Sequence, residues 1–219
     1  MSELVDFSSV ISKLKFSNKA NVIFLAIQKS QEISSCDFYA FEKLDGIWHQ
    51  VFETEGFVGK NGIKEPSARI EGDATTPTGV YSFGMLFGIK DAPDGLKKSY
   101  KILDDNDYWD ADINSDTYNQ YVKGSEMSSN WNMAASEHLV DYKESYNFAA
   151  EIEFNKKPVV KGKGSAIFLH CIRKGSTSSA GCVSIPEDKM LEALKLIDNS
   201  TFIVIVKNAE ELIKHKKGF

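Results

Sequence analysis

Two residues in this chain have the types and the setting for nucleophilic catalysis, His170 and Cys182. His170 closes the apolar run Ala166, Ile167, Phe168, Leu169, and Cys182 lies twelve residues further on, after a loop of Gly, Ser, Thr and Lys. A strand end holds an imidazole on a rigid element. A cysteine activated by a neighbouring histidine is a standard acyl-transfer nucleophile. Cys182 also lies just before an expected helix, whose first N–H groups would favour the thiolate. Gly181 allows a tight backbone approach, so the Gly181 and Cys182 amides can face a developing oxyanion. The same residues also fit a plainer reading, a strand-capping histidine and a buried structural thiol.

The elements that must hold this pair are mostly strands. Val22 to Ile27 is a short apolar run of strand length. Phe38 to Leu44 and Ile47 to Phe52 flank Asp45-Gly46, a strong hairpin signal because a type I′ turn needs positive φ at both central residues. Gly56 to Gly79, rich in Gly, Pro, Thr and Asp, reads as a long loop entering a strand at Val80 to Phe83. Residues 88–147 read as irregular. Their dispersed aromatics, among them Tyr100, Trp109, Tyr118, Trp131, Tyr142 and Tyr146, form either satellite cores under loops or the wall of a groove. Phe148 to Phe154 alternates like a half-buried strand, and Ala166 to Leu169 reads as a central one. Ser184 followed by Glu187, with Pro186 between them, reads as a capping box opening a helix to about Asp198. Met190, Leu191, Leu194 and Ile197 give that helix one apolar face. Thr201 to Val206 is the last core strand, and the tail from Lys207 to Phe219 carries a short amphipathic pattern around Leu212 and Ile213. No composition shift marks a boundary, so residues 1–219 read as one mainly β domain with a late helix.

Bulk properties limit the function classes. The chain has 219 residues, 42% of them hydrophobic and 26% charged, with a formal net charge of −5. That is ordinary globular composition and argues against nucleic-acid binding, which requires a basic face. The three cysteines, Cys36, Cys171 and Cys182, are too few and odd in number for a disulfide framework. Cys36 reads as core, and His49 and His138 as structural or surface residues. A zinc site built from His170, Cys171 and Cys182 is disfavoured: no Cys-x-x-Cys is present, and adjacent strand residues point to opposite faces. The start carries no basic segment followed by an apolar stretch of export-signal length, and no run is long enough to span a bilayer.

The stretch from His170 through Ser179, Ala180, Gly181, Cys182, Val183 and Ser184 resembles the active-site motif of the L,D-transpeptidase family, also called the YkuD fold. Gly72 to Tyr81 resembles the family's segment leading into the catalytic sheet. Gly162 to His170, and Trp109 with Asp110, Asp112, Ser115, Tyr118 and Asn119, resemble a subfamily with an Ala-Gly-Cys variant of the motif. The likeness covers roughly Val22 to Val206. It implies a β-sandwich with a helix after the catalytic cysteine, no cofactor or metal, and peptidoglycan stem peptides as substrate. Cys182 would attack the carbonyl of the third stem residue and His170 would act as base, its ring oriented by the carbonyl of Cys171. The Gly181 and Cys182 amides would stabilise the oxyanion, at about 3 kcal/mol per donor in comparable sites. Ser178 and Ser179 are candidates to hydrogen-bond the substrate and Arg173 to bind a donor carboxylate, although loop serines and an exposed arginine equally fit turn and surface roles. Ala180 stands where the family usually has a second histidine, and Ser184 where Asn or Arg is common. Both departures fall where an acceptor would bind. Three outcomes stay open: a cross-linking transpeptidase, an L,D-carboxypeptidase, and a wall-binding module without catalysis. The resemblance implies a cell-envelope or extracellular location. The missing export signal leaves a cytoplasmic enzyme as the alternative.

Overall fold

The structure, a computed structural model, describes residues 6–128 and 131–214. The first and last five residues of the chain, including the end of the amphipathic tail, lie outside the described residues. Among the described residues there are fourteen strands: β1 (Val22–Gln28), β2 (Ser35–Leu44), β3 (Ile47–Phe57), β4 (Ile63–Lys64), β5 (Thr76–Pro77), β6 (Gly79–Gly88), β7 (Tyr100–Ile102), β8 (Asp107–Asp110), β9 (Gln120–Lys123), β10 (Glu137–His138), β11 (Ala149–Ile152), β12 (Phe168–Cys171), β13 (Val183–Ile185) and β14 (Thr201–Val206). The α-helices among the described residues are α1 (Phe7–Ser12), α2 (Glu187–Leu196) and α3 (Ala209–Lys214). The architecture is mainly β, with α2 following Cys182.

The main sheet runs β11-β12-β13-β3-β2-β1-β14-β6-β7, and β6 also pairs with β11. The sheet therefore folds back on itself around a core. Strand β1 shows why the central strands read as unbroken apolar runs. Its alternate residues serve two different cores: Val22, Phe24 and Ala26 face the inner one, while Ile23, Leu25 and Ile27 pack against Val10, Ile11 and Leu14 of the N-terminal segment. Strand β14 divides in the same way, with Ile203 and Ile205 inside and Val204 and Val206 outside. A strand covered on both faces needs apolar residues at every position. The expected β2–β3 hairpin forms around Asp45 (φ +50°) and Gly46 (φ +81°), the positive pair that a type I′ turn requires.

Four expectations are corrected. Strand β3 continues to Phe57, so the expected loop begins later, and it contains the short pair β4–β5. Residues 88–147 are not wholly irregular, because β8, β9 and β10 form a three-stranded sheet. Strand β11 is buried on both faces rather than one: Ala150 and Ile152 enter the inner core, and Ala149 a separate aromatic cluster. The capping box does not form. Ser184 lies inside β13, paired with His170 on one side and Phe57 on the other, and α2 starts at Glu187 after Pro186 with no side-chain cap. Strand pairing takes the serine before a helix can. Met190, Ala193 and Leu194 still dock α2 on the inner core, and the helix ends at Leu196.

Candidate active site

Strand alternation places the histidine. In β12, Leu169 and Cys171 enter the inner core, whereas Phe168 joins the aromatic cluster and His170 takes the same face. The cluster gathers Phe87, Trp109, Tyr146, Phe168 and Cys182, contributed by segments far apart in the chain. Phe168 meets Trp109 at 4.9 Å, Phe87 at 5.1 Å and Tyr146 at 5.6 Å between ring centroids, all edge to face. Tyr146 also packs its ring against His170 at 5.5 Å. Of the aromatics between β6 and β11, Trp109 and Tyr146 thus belong to a satellite core with Tyr121 packed against it, and Tyr142 and Tyr146 line the cavity wall.

His170 and Cys182 line one cavity of about 360 Å³, together with Ser178, Ser179, Arg173 and Ser184. The His170 Nδ1 lies 2.8 Å from the Cys171 carbonyl oxygen. The ring therefore donates from Nδ1 and leaves Nε2 as its basic nitrogen. The thiol is not hydrogen-bonded to the imidazole in this state. Cys182 Sγ donates to Ala166 O at 3.3 Å and accepts from Phe168 N at 3.3 Å. Burial pushes the Cys182 thiol well above the ordinary thiol range. The charge of Glu137 adds to that push, while the Phe168 N–H and the Arg69 charge act against it. Burial likewise lowers His170 to about 4, against the pull of the Cys171 carbonyl. Both groups are therefore neutral at rest. The expected helix-terminus activation of the thiol is absent, because β13 separates Cys182 from α2.

The turn bearing Cys182 is stitched to the Gly72–Tyr81 segment. Ser179 Oγ donates to Cys182 O at 2.6 Å and accepts from Gly181 N at 3.1 Å. Thr76 Oγ1 donates to the same Cys182 carbonyl at 3.4 Å and accepts from Gly59 N at 2.7 Å. Gly181 sits at φ +149°, and a Cβ there would lie 3.0 Å from Thr75 O. Since Ser179 holds the Gly181 amide, an oxyanion that uses that donor must displace the hydroxyl. Arg173 is exposed at the cavity rim, Ser178 is half-buried, and Ala180 is exposed. Cys36 and Cys171 are fully buried. Among the described residues, no group of three or more His, Cys, Asp or Glu side chains is placed to hold a metal ion.

Asn119 carries the support beneath the thiol. It sits at φ +61° and is 2% exposed. Its Oδ1 accepts from Trp109 Nε1 at 3.0 Å and Ala166 N at 3.1 Å, and its Nδ2 donates to Phe154 O and Asn155 O. Ala166 is the residue whose carbonyl receives the thiol, and it too has positive φ, +52°. Asn119→Ala strands two buried N–H donors and places alanine in the left-handed region, a combined cost of about 3 kcal/mol or more. The expected result is a lower urea midpoint with an unchanged slope. A loss of stability below about 1 kcal/mol, taken as the midpoint shift multiplied by the slope, would remove Asn119 from this role.

Three cavity residues have no motif of their own in the sequence. Glu137 accepts from Tyr146 Oη at 2.8 Å, and burial lifts its carboxyl to about 7. Tyr146 backs the imidazole, and Arg69 forms part of the cavity wall. The pairing of β10 with β8 brings Glu137 to the site, and that non-local contact has no local signal.

Comparison with curated proteins gives no match. Among solved structures, the chain is similar to "Structure of Bdellovibrio bacteriovorus Bd1075", with 16% identity and a TM-score of 0.47 over 93% of this chain and 56% of that one. This chain thus spans little more than half the length of that structure. The family model for the L,D-transpeptidase catalytic domain, YkuD, matches residues 48–206, a span that holds both His170 and Cys182, and the chain belongs to that family.

Proposed function

We propose that this protein is a Cys–His acyl transferase that cleaves peptidoglycan tetrapeptide stems through a thioester on Cys182. The observation that carries the reading is the shared cavity, in which the Cys182 thiol and an imidazole oriented by its own backbone neighbour stand together. Both groups start neutral, so the sulfur gives up its proton only as the peptide carbonyl is attacked. His170 Nε2 takes that proton, and the Sγ–C bond forms. The oxyanion that develops is met by the Cys182 amide, and by the Gly181 amide once Ser179 turns away. Collapse breaks the C–N bond, His170 returns the proton to the leaving amine, and D-alanine departs. An amine from a second stem then attacks the thioester carbonyl, His170 takes the amine proton and passes it to the departing sulfur as the C–S bond breaks, and the new amide is the cross-link. Water in its place gives the carboxypeptidase product.

Two features outside the dyad support the reading. The aromatic cluster under Phe168 excludes water from one side of the pair. The Cys182 carbonyl is held by two hydroxyls, Ser179 and Thr76, so the nucleophile has little freedom to wander. In this reading residues 1–219 act as a single catalytic domain that works on peptidoglycan in the cell envelope. The test is incubation with a purified disaccharide-tetrapeptide, followed by mass spectrometry. Loss of alanine with dimers identifies the transpeptidase, and loss without dimers the carboxypeptidase. If neither the tetrapeptide nor a carbapenem leaves an acyl adduct on Cys182, the reading fails and a non-catalytic wall-binding module takes its place.

A further inference from the structure

We propose that Arg69 forms a carboxylate-binding subsite beside Cys182, which selects peptides whose scissile bond lies one residue from a free C-terminus. The inference rests on the acyl-transfer reading above and deepens it.

Arg69 is 2% exposed, and its guanidinium stacks 4.9 Å over the Phe154 ring. One edge is anchored: Nε donates to Thr75 Oγ1 at 3.1 Å, and Nη2 makes a long contact to Asp73 Oδ1 at 3.4 Å. Asp73 is a divided partner. It also accepts from Ile70 N, Thr75 N and Thr75 Oγ1 and pairs with Lys64. The remaining nitrogen, Nη1, is buried and has no hydrogen-bond partner at all. A guanidinium carries five N–H donors, and leaving buried donors idle costs free energy. Such a group in a cavity wall is explained by a ligand that supplies the acceptor.

The place is right for a terminal carboxylate. Arg69 lines the same cavity as Cys182. A Cβ on Gly181 would sit 3.5 Å from Nη2, and one on Gly164 only 2.7 Å from Nη1, so both neighbours are glycines where the guanidinium needs room. The charge of Arg69 reaches the thiol and favours its ionised form. In a peptide, the carboxylate carbon of the last residue is three bonds beyond the preceding carbonyl carbon, a reach of about 4 Å. Nucleophile and carboxylate anchor must therefore share one cavity. A peptide that continued past this point would place a neutral amide against the guanidinium and leave its charge unmatched.

The experiment compares two substrates on the wild-type enzyme, the disaccharide-tetrapeptide and its C-terminal amide, with kcat/KM for alanine or alaninamide release as the readout. The acid is expected to be favoured on the order of 100-fold, the scale of a charge-assisted hydrogen bond in a desolvated site. Arg69→Gln, checked for folding by circular dichroism, should bring the two substrates within several-fold, chiefly by slowing the acid. Equal rates for acid and amide in the wild type would overturn the subsite, and so would a full preference retained by folded Arg69→Gln. The wild-type comparison stands even if the variant does not fold. Failure of both peptides to acylate Cys182 is a different result: it removes the acyl-transfer reading, and this inference with it.

Discussion

Cys182→Ala is expected to leave a folded protein that forms no acyl adduct and releases D-alanine at least about 10⁴-fold more slowly than the wild type, the scale seen when a nucleophile is deleted. The fold should survive because the change is small. Cys182 is 7% exposed, and its sulfur makes two long hydrogen bonds, with Phe168 N and Ala166 O. Intact-mass analysis after treatment with a carbapenem reads the result directly. The wild type should gain one adduct and the variant none. The other two thiols do not confuse the reading, since Cys36 and Cys171 are fully buried and burial pushes each up to about 12. The same physics sets the behaviour of free Cys182. Because its thiol is held protonated, alkylation by iodoacetamide should be slow at neutral pH and should accelerate only above the usual thiol range. Fast alkylation at pH 7 would mean a resting thiolate and would refute the neutral-pair mechanism. Persistent turnover by Cys182→Ala would move the chemistry to another residue altogether.

The second large effect concerns His170. Its replacement by glutamine should cost about 10³-fold or more in kcat/KM, as loss of a general base does at the upper end of its range. The pH dependence is more diagnostic. A base must be neutral to act, and burial holds His170 neutral down to about 4. The acidic limb of kcat/KM should therefore fall near pH 4 rather than near the 6.5 of an ordinary imidazole. A limb at 6.5 would show that the ring is not sealed as the structure has it. Stability carries the same signature. The unfolded chain takes up a proton at His170 as pH drops below 6.5, while the folded chain resists until about 4. This residue thus contributes stability at neutral pH that is lost between those values, about 3 kcal/mol in all. His170→Gln should flatten that part of the pH–stability curve relative to the wild type.

How far the site could be read in the sequence depends on whether its parts are local. The apolar run that leads into His170, the glycine before Cys182 and the Asp45-Gly46 turn are properties of a few consecutive residues. Backbone geometry and alternation act on them directly. The resemblance around Gly72–Tyr81 and Trp109–Asn119 extended that reading to segments that the structure does bring to the site, through Thr76 and Asn119. The capping box at Ser184 failed for the opposite reason. A local helix signal competed with ladder pairing to two strands, β12 and β3, and the sheet prevailed. The thiolate expected at Cys182 failed with it, since no helix terminus is adjacent.

The sequence by itself determined which two residues could do chemistry, that the histidine stands by the end of a buried strand, and that the frame is mainly β. Each follows from residue type and short-range periodicity. Only the tertiary structure decided the protonation of the pair, because burial depends on the aromatic cluster assembled from β6, β8, β12 and the Tyr146 loop. Only the fold brought Glu137, Tyr146 and the partly idle guanidinium of Arg69 into the cavity with them. Those residues come from segments separated by tens to about a hundred positions in the chain. Desolvation and long-range pairing, which set their chemistry, leave no mark on any short stretch of sequence.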